Sequence, residues 1–406
     1  MRWLSIIYLG YMFLSIYFLS LFLLLFKRNR KVLFDYPKAK KKYSISVLVP
    51  AYNEEDTIED TIKAIFDSEY PIAEIIVLND GSKDNTAKIV KRLMKKYKKL
   101  KLIDKKNSGK GDSLNWGLKK AKGDLIAVVD ADSFPSPDSF GKMVGFFNEG
   151  NVGAATCIFS PRNRNKFLEK LQVIEYNIIA FTRKLLDYVD AIYVTPGPLA
   201  LYRKSALVEM GGFDPKSMTE DIEATWNLAY HGYHRRMCLD ARATTKVPSG
   251  IKEWYRQRRR WNVGGLQCIS KYKKCLFRKG MLGFFILPFF IMQLFIGLVG
   301  LSVFAYLAAT KFIKNYIFIG SSLGIGATVT MSDYYFTPTV LNYLGFVLFV
   351  AGALFTIFVL VIMKEQILKK QNIFNMFFYL FFYLGIYPLI MISAIYHYFK
   401  GTRKWR

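Results

Sequence analysis

Acidic residues are scarce in this chain: 31 aspartates and glutamates stand against 58 lysines and arginines, a formal net charge of +27 over 406 residues. Cysteine is scarcer still, with Cys157, Cys238, Cys268 and Cys275 and no Cys-x-x-Cys pair. That excludes a disulfide framework, and the four read as free, structural thiols. Internal repeats and low-complexity segments are missing too. Several long stretches lack charge altogether. Residues 4–26 carry none over 23 positions, and the runs at about 281–310, 338–363 and 373–398 carry none either. About 20 apolar helical residues span the hydrocarbon core of a bilayer, so each run is long enough to cross one. The first has no small-residue cleavage site and ends in Lys27-Arg28-Asn29-Arg30-Lys31. It therefore reads as a retained anchor, with the N-terminus outside and residue 27 onward in the cytosol. A weaker run, 316–331, is short and glycine-rich and reads as interfacial or re-entrant. A transporter or receptor would place charged residues inside its spans, and these have none. Four apolar runs also argue against nucleic acid as the partner of the positive charge.

What is present between the anchor and residue 280 looks like a separate, water-exposed unit. It holds 48 of the 58 basic residues and 29 of the 31 acidic ones. Such a surplus favours anionic lipid head groups and phosphorylated substrates. From residue 44, short β-branched runs alternate with amphipathic stretches. Ser44–Pro50, Glu74–Leu78, Leu100–Ile103 and Leu125–Val129 read as strands. Helices are predicted from near Thr57, with Ile58, Ile62 and Ile65 on one face, from about Asn85 to Lys98, and over Asn115–Ala121. This alternation predicts an α/β fold, a mainly parallel sheet with helices on both faces. Ligands collect at the carboxyl ends of strands in such sheets. Three polar loops occupy those ends: Tyr52–Asp56, Asn79–Asp84 and Asp130–Ser133.

The carboxylates in these loops invite chemistry. Asp130 and Asp132, one residue apart at the end of a buried strand, repel each other unless a cation intervenes, and oxygen ligands suit Mg²⁺ or Mn²⁺. Two solvated loop aspartates are the plainer alternative. Asp80 in Asn79-Asp80-Gly81-Ser82 is placed to accept bonds from a ribose or a base edge, or simply to shape an Asp-Gly turn capped by Asp84. Lys110 sits in a flexible, glycine-flanked loop within reach of a phosphate. Thr219-Glu220-Asp221 starts a helix with Thr219 as N-cap; the acidic pair serves the helix dipole, or Asp221 acts as a general base. Trp254–Trp261 reads WYRQRRRW. Its arginines and aromatics suit a diphosphate and sugar rings, or the lipid interface.

In order along the chain, these pieces resemble the family 2 glycosyltransferases of the GT-A fold. Within that family they are similar to the membrane-embedded cellulose, hyaluronan and poly-N-acetylglucosamine synthases. The resemblance rests on Val49-Pro50-Ala51-Tyr52-Asn53-Glu54-Glu55, Asn79-Asp80-Gly81-Ser82, Gly109-Lys110-Gly111, Asp130-Ala131-Asp132, Thr219-Glu220-Asp221 and Gln257-Arg258-Arg259-Arg260-Trp261. The last fits the Gln-x-x-Arg-Trp signature of the processive branch. The motifs cover about residues 40–275.

The resemblance implies an inverting, metal-dependent, processive enzyme that moves sugar from a UDP-sugar donor to a growing β-linked polysaccharide, possible export included. It implies that Ala51, Tyr52 and Glu54 line the nucleobase pocket and that Asp80 binds uracil or ribose. Lys110 then lies near the diphosphate, Asp130 contacts the nucleotide, and Asp132 coordinates Mg²⁺ or Mn²⁺. Asp221 is implied as the catalytic base, with Thr219 and Glu220 beside it. Gln257, Arg260 and Trp261 are implied to hold the diphosphate and the acceptor sugar. Gly197, in Pro196–Arg203, falls in the acceptor-side segment, whose second proline departs from the family pattern. The expected layout is an anchor at 1–30, a cytosolic GT-A domain at 40–250, an interfacial segment at 250–280, three or four membrane helices at 281–400 and a basic tail at 400–406. The main alternative is transfer of one sugar to a polyprenyl or dolichyl phosphate, or to another lipid-linked acceptor. The tail's side of the membrane stays open on sequence alone, because it depends on whether 316–331 spans.

Overall fold

The computed structural model describes residues 2–324, 340–364 and 370–401. The chain opens with helix α1 (Arg2–Asn29), followed by β1 (Ile45–Ala51), α2 (Ile58–Phe66), β2 (Glu74–Asp80), α3 (Thr86–Met94), β3 (Leu100–Lys105), α4 (Lys110–Lys120) and β4 (Leu125–Val128). Alternation decides which way these strands face. Ile45, Val47 and Val49 of β1 enter one apolar cluster with Ile58, Ile62 and Ile65 of α2. Leu48 points to the opposite face and packs with Leu114 and Leu118 of α4. Helices therefore cover both faces of the sheet, as the sequence pattern predicts.

The second half of the domain is less regular. It comprises β5 (Ser133–Pro135), α5 (Ser139–Val144), β6 (Val152–Pro161), α6 (Phe167–Asp187), β7 (Ala200–Arg203), α7 (Lys204–Glu209), α8 (Glu220–Tyr230) and β8 (His234–Thr245). The eight strands lie in the order β3-β2-β1-β4-β7-β6-β8-β5. β1–β4 pair in parallel, whereas β7 runs antiparallel to both β4 and β6. β8 is parallel to β6, and β5 antiparallel to β8. The sheet is thus mixed: parallel through the first half, reversed where β7 inserts.

Beyond the sheet come α9 (Ile251–Tyr272), α10 (Leu287–Gly324), α11 (Val340–Ile362), α12 (Lys370–Phe378) and α13 (Leu384–Phe399). π-helical turns at Leu282–Ile286 and Tyr379–Tyr383 lead into α10 and α13. Among the described residues, four stretches are long and apolar enough to cross a membrane: Trp3–Asn29, Leu282–Phe318, Tyr343–Ile362 and Ile373–Phe399. The weak run at 316–331 is not a separate element in its described part. α10 continues to Gly324, because no proline or glycine interrupts the chain between Gly300 and Gly320. Its remainder from 325, like the tail from 402, lies outside the described residues. Helix α6 joins the sheet to the apolar helices. Phe181 meets Phe26 of α1 and Phe355 and Phe358 of α11. All four cysteines are buried and none is in a disulfide.

Candidate active site

Strand ends build one side of the candidate site. Ala51 closes β1 beside Asn79 of β2 and is buried. The turn that follows is fixed by Asn53, whose φ of 56° lies in the left-handed region. Its amide donates to Ser82 Oγ (2.9 Å), and its Oδ1 accepts from the Lys83 amide (2.8 Å). The Glu54 amide donates to Thr86 Oγ1 at 2.8 Å, and Glu54 Oε2 accepts from Thr57 Oγ1 at 3.0 Å. The loop carrying Tyr52 and Glu54 is therefore locked to the loop after β2. Asp84 takes part: it accepts from the Thr86 and Glu55 amides.

Asp80 ends β2 with its carboxylate 5% exposed as a residue. Oδ1 accepts from Lys105 Nζ (2.6 Å) and the Ser108 amide (2.9 Å), and Oδ2 from the Gly109 amide (2.8 Å). Burial pushes this carboxyl upward, but Lys105 and the two amides outweigh it and hold it below the ordinary range. Three of about four lone-pair positions are thus spent on the fold. Gly81, at φ 72°, lets the chain turn here: a Cβ would lie 2.8 Å from the Asn107 amide nitrogen.

Lys110 corrects the expectation of a flexible loop. It is the first residue of α4, entered through Gly109 at φ 100°, and its side chain is only 15% exposed. Nζ lies 2.7 Å from Asp130 Oδ1 and 2.5 Å from Glu220 Oε1. Burial would lower its pKa, yet Asp130, Glu220 and Asp221 together raise it. This lysine ties the end of β4 to the start of α8.

Asp130 and Asp132 follow β4. Gly197 approaches so closely that a Cβ there would lie 2.5 Å from Asp130 Oδ2, and its carbonyl accepts from the Asp130 amide at 3.0 Å. The Pro196–Arg203 segment therefore abuts the first aspartate. Asp132 Oδ1 accepts from Ser133 Oγ (3.1 Å) and Thr245 Oγ1 (3.3 Å). Burial, then the charge of Asp130, pushes its carboxyl up to about 6. Among the described residues no three His, Cys, Asp or Glu side chains gather to hold a metal unaided. Two crowded carboxylates of hard oxygen still fit a cation of the Mg²⁺ type, which takes one or two carboxylates and completes its shell with substrate phosphates and water.

The sequence places Thr219 correctly as N-cap of α8 but misassigns its side chain, which makes no capping hydrogen bond. Oγ1 is instead buried against Gly264 of α9, and no hydrogen-bond partner for it is found among the described residues. Glu220 is buried on Lys110. Asp221 Oδ1 accepts from the Ile222 amide at 2.9 Å. Burial first and Glu220 second raise its pKa to about 6, against the opposing pull of Lys110. An acid so placed titrates near neutrality, where a general base is most effective.

Helix α9 brings the Gln257–Trp261 element alongside. Trp261 packs against the core of the sheet, and Arg260 is partly buried one position before it. Arg258 turns into the protein. It is wholly buried against Glu175 of α6, a contact nothing in the local sequence announces. α9 also runs beside α13 in the same direction. Trp254 Nε1 donates to Tyr383 OH (2.7 Å), Val263 clusters with Ala394, and Arg259 Nη1 lies 2.9 Å from His397 Nε2. A cavity of about 540 Å³ lies farther along, between Val263, Gln267, Ser270 and Lys271 of α9 and His397–Gly401. The acidic cluster is elsewhere.

Residues 46–211 match the model of Glycosyl transferase family 2. The chain carries a family 2 glycosyltransferase domain. It is 35% identical over 230 residues to the poly-beta-1,6-N-acetyl-D-glucosamine synthase of Staphylococcus epidermidis, a match covering 56% of each chain. To the enzyme of the same name from Staphylococcus aureus strain MSSA476 it is 33% identical over 229 residues, again 56% of each. The match thus spans about half the length of these curated relatives. Among solved structures, the chain shares its fold with the mannosyltransferase PcManGT from Pyrobaculum calidifontis, solved with GDP-Man and Mn2+. That likeness has a TM-score of 0.64 at 20% identity and covers 98% of this chain and 99% of the other. At this identity it speaks for the fold alone, which is GT-A-like with several long apolar helices.

Proposed function

We propose that this membrane-embedded glycosyltransferase moves a sugar from a UDP-sugar to a growing β-linked polysaccharide on the cytosolic side of the cell membrane. N-acetylglucosamine is the first sugar to test, from the names of the relatives. The observation that carries the reading is the meeting of Asp130, Asp132, Lys110, Glu220 and Asp221 at the carboxyl edge of the sheet. In the proposed step the Asp221 carboxylate takes the proton of an acceptor hydroxyl as its oxygen bonds to the anomeric carbon. Attack comes from the face opposite the diphosphate; the bond to the diphosphate breaks, its electron pair leaves with UDP, and configuration inverts. Ala51, Tyr52, Glu54 and Asp80 are proposed to frame the nucleoside, and Asp130 to contact the nucleotide. Lys110 and Arg260 meet the growing negative charge of the diphosphate, and Gln257, Trp261 and the Gly197 segment meet the acceptor. A divalent cation, Mg²⁺ or Mn²⁺, held by Asp132 and diphosphate oxygens would neutralise the leaving group.

The test uses purified protein in nanodiscs with Mn²⁺ and radiolabelled UDP-sugars, the products being separated by size. A ladder of long products from one donor is the expected result. Label confined to a lipid or to a single added sugar would replace this reading with transfer to a lipid-linked acceptor. For the cation, Asp132→Ala is expected to weaken donor binding in Mn²⁺ by roughly tenfold or more, measured by calorimetry with UDP. Equal affinity in the variant, with and without Mn²⁺, would remove Asp132 from the cation's ligands.

A further inference from the structure

Arg258 occupies one of the two unspecified positions of the Gln-x-x-Arg-Trp pattern, and it lies within a dense set of buried polar and aromatic contacts. Its side chain is 0% exposed. Nε donates to Glu175 Oε1 at 3.0 Å and to Tyr387 OH at 3.1 Å, and Nη2 forms an ion pair with Glu175 Oε2. Glu175 is itself buried and accepts from Tyr383 OH at 2.7 Å and from Tyr387 OH. Both carboxylate oxygens are therefore engaged from two directions, α9 and the last apolar helix. Tyr383 closes the π turn and Tyr387 follows four residues later in α13, so the two share a helix face and both reach the same carboxylate.

On its other side the guanidinium touches two residues of the pattern. Nη1 donates to Gln257 Oε1, and Cζ lies 4.1 Å from the centroid of the Trp261 ring. An arginine fork can grip a carboxylate bidentately, reach an amide oxygen and still lay its plane near an aromatic ring; an ammonium has donors for two acceptors but neither the fork nor the plane. With Gln257 Oε1 engaged by Arg258, its NH₂ is the group left to donate.

We propose that Arg258 is a positioning residue: clamped by Glu175, Tyr383 and Tyr387, it fixes the orientation of Gln257 and Trp261, so that the last apolar helix sets the geometry of the diphosphate and acceptor element. This rests on the proposed sugar transfer. Donor recognition by the strand-end loops does not pass through the clamp, whereas alignment of acceptor and leaving group does.

The test compares the full chain with Arg258→Lys, which keeps the buried charge but loses the fork, and with Tyr387→Phe, which keeps the ion pair and removes one hydroxyl. With UDP-N-acetylglucosamine as probe, or whichever UDP-sugar the wild type uses, R258K is expected to lower kcat roughly 10- to 100-fold. The donor KM should stay within about twofold. Y387F should lower kcat in the same direction by less. Adding Gln257→Ala to R258K should cost little more, because both remove one alignment. An R258K kcat within about twofold of wild type, a loss in melting temperature alone, or effects of R258K and Q257A that multiply would each overturn the inference. Wild-type protein that transfers from no nucleotide sugar would overturn the proposed function itself, and this with it.

Discussion

Asp221→Asn is expected to lower kcat by roughly 10²–10⁴-fold while leaving UDP affinity nearly unchanged. The amide is nearly the same shape, so the Ile222 amide bond to Oδ1 survives and α8 should fold as before. What is lost is the capacity to accept a proton. The same carboxyl makes a pH prediction. Its pKa is raised to about 6 by burial and by Glu220, and only the ionised form is a base. kcat/KM should therefore be full above that value and fall about tenfold per unit as the pH drops below it. The limb should vanish in the Asn variant. Turnover by Asp221→Asn at the wild-type rate would dismiss this residue as the base, and an acid limb unchanged in the variant would assign it to another group.

Gly264→Ala is expected to have the second largest effect, through a residue that touches no proposed ligand. A Cβ at this position would lie 1.8 Å from Thr219 Oγ1 and 2.7 Å from its Cβ and Cγ2. Neither helix can yield freely. Lys271 Nζ lies 2.8 Å from Asp214 Oδ2 and 2.6 Å from Glu223 Oε1, and Tyr272 OH donates to Glu223 at 2.8 Å. The Met218 amide donates to Gln267 Oε1. The added methyl must push α9 and the N-terminus of α8 apart, at a cost of about 1–3 kcal/mol for overpacking. Asp221 is two residues from Thr219, so the displacement reaches the proposed base. We expect a lower melting temperature and a kcat reduced by roughly 10- to 100-fold, with donor KM little changed. A variant with wild-type melting and turnover would show that the helices separate without disturbing the site.

The first half of the sheet domain is legible in the sequence because its information is local. β1–β4 alternate with helices at the expected places, and Asp80, Asp130 and Asp132 follow directly on their strands. Ile58, Ile62 and Ile65 are all buried, as their spacing predicts. β5 and β7, three and four residues long, are too short for periodicity to register, and β6, buried almost throughout, shows no alternation to read. Lys110 reads as loop in the sequence because flanking glycines usually break helices, whereas in the structure Gly109 precedes the first turn and Gly111 sits tightly against Asp214. The Glu175 clamp was illegible for a different reason. Its partners lie 83 and 212 positions away, and a glutamate in an amphipathic helix normally faces water. Thr219 shows the converse. Its position at the start of α8 is plain from sequence, but its burial against Gly264 is set by a helix 45 residues on.

The side-by-side course of α9 and α13 closes the chain on itself. Because the two helices run in the same direction, the end of α13 delivers Gly401 beside Gln267 and Ser270 of α9. α12 and α13 share most of their length with α6 and α9, from Phe374 against Phe167 to Arg259 against His397. Phe381, Phe382, Leu389 and Ile392 of this last segment stand exposed, an apolar surface left over once the segment has docked on the sheet domain.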